Sequence, residues 1–176
     1  MGELILITGP PGAGKSTVAE LLAAEYQPSA LVAGDAFFGF LARGAIDPWL
    51  PAAAGQNETV TEAAAAAAGR LVRGGYTVLF DGVVGPWLLP SFVAATGLRR
   101  LHYALLLPTE QLCLDRVRDR LGHGFTDLAA TRHMHADFAR ATVDPRYRIP
   151  LADRAELTAS RIRALVADGS LSYPLQ

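Results

Sequence analysis

Gly9-Pro-Pro-Gly-Ala-Gly-Lys-Ser16 carries the strongest pattern in this sequence. It matches G-x-x-x-x-G-K-[ST], in which the glycines let the backbone curl so that successive N–H groups point at phosphate oxygens. The lysine of this pattern reaches the terminal phosphates of a bound nucleotide, and the hydroxyl that follows can ligate Mg²⁺. The sequence therefore predicts nucleotide contacts from Gly9, Gly12, Ala13, Gly14, Lys15, Ser16 and Thr17, with Ser16 also a magnesium ligand.

The flanks of this motif fit a phosphate loop. Leu4–Thr8 is a short apolar run typical of a buried strand, and Lys15–Tyr26 has apolar residues at helical spacing. A strand before the glycines and a helix after them place the positive end of the helix against the phosphates. A dinucleotide site, which needs G-x-G-x-x-G, is excluded because Thr17 stands where the third glycine belongs.

Strand and helix patterns alternate along the rest of the chain, which indicates a parallel sheet covered by helices on both faces. We expect a single domain spanning residues 1–176. The further strands are expected at Leu31–Ala33, Tyr76–Phe80, Leu101–Leu107 and Arg146–Ile149. The further helices are expected at Asp35–Arg43, from the Thr59/Glu62 capping box to Arg73, and at Leu88–Thr96, Glu110–Leu121, Asp127–Ala141 and Glu156–Ala167, with a loop at Gly44–Gln56.

Composition narrows the class of protein. Sixteen basic and seventeen acidic residues leave a formal charge of −1, which argues against a nucleic-acid-binding protein with a basic footprint. Cys113 is the only cysteine, and the sequence has neither a signal-peptide pattern nor a membrane span. We expect a soluble cytoplasmic protein, either a monomer or a homodimer, that binds no membrane.

Other sequence features favour a kinase among the phosphate-loop proteins. A GTPase would carry an N-K-x-D motif, but Lys15 is the only lysine in the chain. ABC ATPases and AAA+ motors need more chain and further signature motifs. The remaining class is that of the small kinases, which transfer the γ-phosphoryl group of a nucleoside triphosphate.

Two carboxylates follow expected strands, at the edge of the sheet where ligands of open α/β folds bind. Asp35 comes after the second strand and could accept the proton of an attacking hydroxyl, although it could also cap the next helix. Asp81 comes after the third strand and could hold Mg²⁺ through water or contact the substrate. The alternative for Asp81 is a turn residue before Gly82.

Arg116 and Arg120 lie four residues apart on an expected helix and so share one face, whereas Arg118 points elsewhere. With the glycine-flanked loop that follows, they suit a mobile lid over residues 116–126 that closes on the triphosphate. The alternative is a solvated helix face on which these arginines pair with Asp115 or Asp119.

The chain resembles the gluconate kinase and shikimate kinase group in its phosphate loop, in Gly34-Asp35, and in Arg116-x-x-x-Arg120-x-x-His123-x-Phe125. It is also similar to chloramphenicol phosphotransferase and its relatives in the apolar run that ends at Asp81. The resemblance implies a three-layer α/β/α fold of the nucleotide-kinase type with a five-stranded parallel sheet in the order 2-3-1-4-5. It further implies Mg-ATP as donor, Asp35 as base, and catalytic roles for Lys15, Arg116 and Arg120.

The acceptor segment, residues 36–57, departs from the gluconate kinase pattern. It follows the expected base, so Phe38, Arg43, Trp49 and Asn57 are candidate acceptor contacts together with Asp35 and Asp81. The aromatic set Phe37, Phe38, Trp49 and Trp87 suits a large, partly apolar acceptor such as an antibiotic, or else ordinary core packing. Asn57 could equally cap a helix.

The function expected from the sequence is transfer of a γ-phosphoryl group from ATP to a hydroxyl of a small molecule. The acceptor can be a sugar acid, an antibiotic or another metabolite. A nucleoside or nucleotide kinase is the first alternative, although Arg43 is the only cation at 36–57 to meet a phosphorylated acceptor. A nucleotide-dependent regulatory ATPase is the second.

Overall fold

In the computed structural model, which describes residues 2–119, 126–151 and 154–174, a twisted sheet forms the centre of the molecule. Its strands lie in the order β2-β3-β1-β4-β5, and these five are parallel to their neighbours, which confirms the expected topology. A sixth strand, β6, pairs antiparallel with β4. The strands are β1 Leu4–Thr8, β2 Ser29–Ala33, β3 Thr77–Gly82, β4 Arg100–Leu106, β5 Arg148–Ile149 and β6 Ser172–Pro174.

In the described part of the chain, six α-helices connect these strands and form three packed pairs. The helix α1 packs against α6, α2 packs against α3, and α4 packs against α5. The α-helices are α1 Lys15–Ala23, α2 Ala54–Arg73, α3 Leu89–Thr96, α4 Glu110–Arg118, α5 Leu128–Arg140 and α6 Ala155–Ala167. Among the described residues, no helix combines the length and the apolar character that a membrane span requires.

The central strand positions the phosphate loop. Every residue of β1 is buried, and the strand pairs with β3 on one side and β4 on the other. A strand buried on both faces must be apolar throughout, which is why Leu-Ile-Leu-Ile occupies it. The strand ends at Thr8, opposite Gly82 of β3, so the loop that follows emerges at the carboxyl edge of the sheet.

Three local expectations between β2 and β3 were wrong. The helix expected at Asp35–Arg43 is a 3₁₀ helix at Gly34–Phe40, ended by a bond from the Leu41 N–H to the Phe38 carbonyl. The expected capping box does not begin α2, because Thr59 lies inside that helix and its hydroxyl donates to the Gly55 carbonyl. For the same reason Asn57 is no helix cap, since α2 begins before it.

The sixth strand was not expected from the sequence. It covers the half of β4 that β5 leaves unpaired, with Leu101 opposite Tyr173. Tyr173 contacts the rings of Tyr103 and Tyr147, with centroids 6.0 and 5.7 Å away. This aromatic cluster closes the edge of the sheet beyond β4, and burial raises the pKa of the Tyr103 hydroxyl well above its ordinary range.

Candidate functional site

The phosphate loop is built around Lys15, whose side chain is buried at the start of α1. Lys15 Nζ donates to the carbonyl of Pro10 at 3.1 Å, so the ammonium lies over the loop itself. The Ala13 N–H also donates to this carbonyl, at 3.1 Å, and thereby closes the turn. Ser16 and Thr17 are exposed on the first turn of α1, where their hydroxyls can meet a ligand.

The fourth residue of the motif, Gly12, has to be a glycine for two reasons. Its φ of +81° is in the left-handed region, which residues with a Cβ adopt only at a cost. A Cβ there would also meet the backbone of α4, lying 2.9 Å from Cys113 Cα and closer still to the Cys113 carbonyl oxygen. The loop is thus held against α4 by close backbone packing, and Cys113 is buried at this contact.

The same helix places Arg116 over the loop. Arg116 Nη1 donates to the carbonyls of Gly12 and Ala13, at 3.2 and 3.4 Å. Arg118 points away, as the helical period predicts, and pairs with Asp115 and Asp119. The side chain of Arg116 therefore contacts the phosphate loop, whereas Arg118 forms ion pairs with the two aspartates.

The rest of the expected lid falls on residues that the structure does not describe. Arg120, His123 and Phe125 lie in the gap at 120–125, so their expected roles stay predictions. The described structure resumes at Thr126, and the side chain of Asp127 then caps α5 by accepting from the Ala130 N–H at 2.9 Å.

Both expected acidic residues lie at the carboxyl edge of the sheet. Asp81 is the fifth residue of β3, directly opposite Ile7 of β1, and is largely buried. Asp35 follows β2, whose last residue Ala33 is opposite Asp81 on the other side. Asp35 is exposed in the first turn of the 3₁₀ helix. The strand order thus brings both carboxylates to the same edge as the phosphate loop.

The oxygen donors at this edge fit a magnesium site. Mg²⁺ prefers oxygen ligands and is usually held by one or two protein groups together with substrate phosphates. Ser16 supplies a hydroxyl beside the loop, and Asp81 supplies a carboxylate on the adjacent strand. The residues present therefore suit the ion, with the remaining positions left to phosphate and water.

The acceptor segment is fixed to α2 by two side-chain amides. Gln56 accepts from the Ile46 N–H at 2.8 Å and donates to the Ile46 carbonyl at 2.7 Å. Asn57 Nδ2 donates to the Pro48 carbonyl at 2.7 Å, so the amide expected to contact an acceptor holds the segment in place. Phe38 and Trp49 are half-buried and Arg43 is exposed. Gln56 was missed because an isolated glutamine gives no sequence signal.

A cavity of about 1000 Å³ opens beside the phosphate loop, and no sequence pattern pointed to it. One side is formed by Gly14, Thr17 and Arg116. The remaining wall is mainly apolar and comes from the segments that follow β4 and β5 and from the start of α6, including Pro108, Leu112, Ile149, Pro150, Leu151 and Ala155. Its place next to the loop and its apolar wall suit a nucleoside base.

A second, smaller depression lies at the opposite, amino edge of the sheet. It is lined by Glu3, Tyr26, Arg100, His102 and Arg163 among others, and its volume is about 460 Å³. A hydrogen bond between His102 and Glu3 is the main cause that lowers the pKa of the Glu3 carboxyl, and burial raises the pKa of Tyr26. Because parallel strands direct their carboxyl ends the other way, this depression is remote from the phosphate loop.

Strand order, phosphate loop and buried lysine define a P-loop nucleotide-binding fold of the kinase type. The family model described as an AAA domain matches residues 4–145, and the chain belongs to this family. The AAA description applies to the P-loop domain itself, whereas the class that the sequence argues against is that of the large AAA+ motors. No curated protein matches the chain significantly.

Several solved structures share the fold over nearly the whole chain. The APS kinase of Mycobacterium tuberculosis, solved with AMPPNP and APS, has a TM-score of 0.72 and 18% identity, covering 94% of this chain and 98% of its own. The tunicamycin resistance protein of Deinococcus radiodurans has a TM-score of 0.67 and 19% identity, covering 94% and 96%. A gluconokinase of Sinorhizobium meliloti 1021 has a TM-score of 0.63 and 18% identity, covering 96% and 94%. The expected resemblance to small P-loop kinases is therefore confirmed at the level of the fold.

Proposed function

We propose that this protein is an ATP-dependent phosphotransferase that moves the γ-phosphoryl group to a hydroxyl of a small molecule. The proposal rests on one grouping of residues at the carboxyl edge of the sheet. There the phosphate loop, which Arg116 contacts, lies at the same edge as the two carboxylates Asp35 and Asp81. Phosphoryl transfer needs little more than positioning and charge neutralisation, and this grouping supplies groups for both. Two proteins of the same fold are by name kinases of small molecules, a gluconokinase and an APS kinase.

In this proposal the triphosphate lies in the loop and the base occupies the adjacent cavity. Lys15 moves its ammonium from the Pro10 carbonyl to the β and γ phosphates. Arg116 lies close enough to exchange its carbonyl partners for phosphate oxygens, and Arg120 would add a second guanidinium. Mg²⁺, held by Ser16 and by Asp81 directly or through water, would neutralise charge on the β and γ phosphates.

In the proposed transfer step, Asp35 acts as the general base. The acceptor oxygen forms a bond to the γ phosphorus, and the bond from that phosphorus to the β–γ bridging oxygen breaks, so ADP leaves. The hydroxyl proton passes to the Asp35 carboxylate. The proposed walls of the acceptor site come from the acceptor segment: Phe38, Arg43, Trp49 and Asn57. Residues 1–176 act as one kinase domain in this proposal.

We also propose a cytoplasmic location, because the lone Cys113 is a thiol.

The variant Asp35→Asn tests this assignment. It should lower the rate of acceptor phosphorylation about a hundredfold or more, because the amide cannot take the proton. Its affinity for ATP should stay within about threefold of the wild type, since binding rests on the phosphate loop. Isothermal titration with Mg-ATP and a labelled-product assay measure the two quantities.

Asp47→Asn is the matched control, because Asp47 is exposed in the same acceptor segment and has no proposed catalytic role. This control should transfer phosphate at the wild-type rate. If Asp35→Asn retained the full activity of the protein, the base assignment would be wrong. A nucleotide-dependent regulator, which needs no hydroxyl base, would then be the better account.

A further inference from the structure

Trp87 lies in the loop that follows β3, and the strand order places this loop in the middle of the proposed site. The strand β3 is flanked by β2, which leads to Asp35, and by β1, which leads to the phosphate loop. The loop is tied to β1 by a pair of hydrogen bonds between Thr8 Oγ1 and the backbone of Val84, 3.0 Å to its carbonyl and 2.8 Å to its N–H. Residues 83–88 therefore lie between the phosphate donor and the proposed base.

The indole of Trp87 is fixed in place but remains half exposed. Its six-membered ring lies against Gly85, where an added Cβ would be 2.6 Å from Trp87 Cε2 and nearer still to Cζ2 and Cη2. Its ring centroid is also 5.1 Å from that of Phe138, a buried residue of α5. Even so, 50% of Trp87 is exposed. One part of the indole thus packs against Gly85 and Phe138, and the rest is accessible to a ligand.

The two segments that follow β2 and β3 carry many of the exposed apolar side chains. Of the eight large hydrophobic residues exposed in the described part of the chain, four come from the two segments that flank the proposed base: Phe40, Ile46, Leu50 and Trp87. Phe40 is 74% exposed and contacts Phe37 edge to face, with ring centroids 5.1 Å apart. Exposed apolar side chains on segments that flank the proposed base are available to an apolar part of an acceptor.

These same segments offer little charge. Residues 36–57 contain only Arg43 and Asp47 as charged groups, and residues 83–88 contain none. A phosphorylated or polyanionic acceptor would need several cations to offset its desolvation, and these segments supply one. These segments therefore disfavour a polyanionic acceptor and fit an acceptor with little or no charge.

We propose that Trp87 is the acceptor-binding platform of the enzyme, and that the acceptor is an uncharged compound with a flat aromatic ring near the hydroxyl that is phosphorylated. This inference rests on the proposed function, because it identifies the acceptor class for the same reaction. An aromatic ring stacks on an indole at little entropic cost when the indole is already held, as Gly85 and Phe138 hold it here.

A fluorescence titration tests the platform without requiring transfer. The emission of the wild type, which comes from Trp49 and Trp87, is compared with that of Trp87→Phe, so that the difference reports Trp87 while Trp49 stays in place. With AMPPNP and Mg²⁺ present, chloramphenicol, an uncharged aryl diol, should change the Trp87 emission with saturation, whereas gluconate should not. N-acetyltryptophanamide under the same conditions corrects for light absorbed by the ligand. No saturable change with chloramphenicol would overturn the proposal.

Substitutions at position 87 add a second readout. Trp87→Leu should weaken chloramphenicol binding about tenfold, and Trp87→Phe, which keeps a ring, by no more than about threefold, both measured by calorimetry. Thermal unfolding checks that each variant is folded. Equal affinities of wild type and Trp87→Leu would overturn the proposal.

The γ-phosphoryl transfer assay separates this proposal from the function on which it rests. Transfer to gluconate at equal rates in wild type and Trp87→Leu would overturn the acceptor class and leave the kinase function standing. Saturable binding of chloramphenicol at Trp87 with no transfer to any hydroxyl compound would support the platform and contradict the kinase.

Discussion

At the scale of single residues, the phosphate loop depends on groups that cannot be exchanged. Lys15 supplies a buried cation directed at the loop, and Gly12 supplies a backbone turn that runs against α4. The motif made both predictable, because their spacing is set by the phosphates they bind. The contact between Gly12 and Cys113 was not predictable, because it joins residues far apart in the sequence.

Gly12→Ala should damage the loop through this contact. The turn requires a left-handed φ at this position, which alanine adopts only at a cost. The new methyl group would also collide with the backbone of Cys113, which cannot rotate away as a flexible side chain could. We expect a loss of about 1–3 kcal/mol in the free energy of unfolding and at least about tenfold weaker ATP binding. Urea denaturation and calorimetry measure the two effects.

The matched control is Gly55→Ala, because a Cβ at Gly55 in the first turn of α2 meets no atom within 4 Å. That variant should be as stable as the wild type or slightly more so, since alanine favours helix. Equal ATP affinity in Gly12→Ala and Gly55→Ala would show that the contact with α4 is unimportant for the loop.

At the scale of elements, the long periodic segments were predictable and the short ones were not. The strand β1 and the helix α3 fall within one residue of their expected bounds, because their apolar patterns are unbroken. The strand β6 was missed, because its three residues include a proline, which only an edge strand accommodates. The segment Gly34–Phe40 has apolar residues at helical spacing, but its glycines favour no long helix and it forms 3₁₀ turns.

Glu3 and His102 form a hydrogen bond of 3.2 Å, which is also an ion pair when the imidazole is protonated, and it links the start of β1 to the adjacent strand β4. It lowers the pKa of Glu3 from its ordinary value of 4.5. A carboxyl whose pKa falls on folding contributes stability that is complete above pH 4.5 and is lost as the pH falls through the lowered value. Because Glu3 is partly exposed, we expect a contribution below about 1 kcal/mol.

Glu3→Gln should therefore be less stable than the wild type at about pH 6, and the difference should be smaller at about pH 3 because the Glu3 carboxylate becomes protonated as the pH falls through its lowered pKa. Urea denaturation at both values of pH measures the difference. Glu62→Gln, on the exposed face of α2, should show no such change between the two. A stability difference for Glu3→Gln that is the same at both values of pH would contradict the role of the ion pair.

At the scale of the whole molecule, the strand order brings the functional groups together. Asp35, Trp87 and the phosphate loop follow three adjacent strands, and Asp81 lies near the carboxyl end of one of them, so all four share one edge of the sheet. Each acidic residue could be proposed from the sequence because it follows an apolar run. The cavity beside the phosphate loop could not be predicted, because its wall combines segments after β4 and β5 that carry no motif.

The fate of the γ phosphate shows whether the protein transfers it to a hydroxyl or only hydrolyses ATP. ATP labelled in that position is incubated with the protein, Mg²⁺ and a panel of sugars, aminoglycosides and phenicols, and the products are separated. If the protein is a kinase, the label should move to an organic hydroxyl, with formation of ADP in equal amount. Label released only as inorganic phosphate, at a slow rate that no compound in the panel changes, would contradict the kinase function.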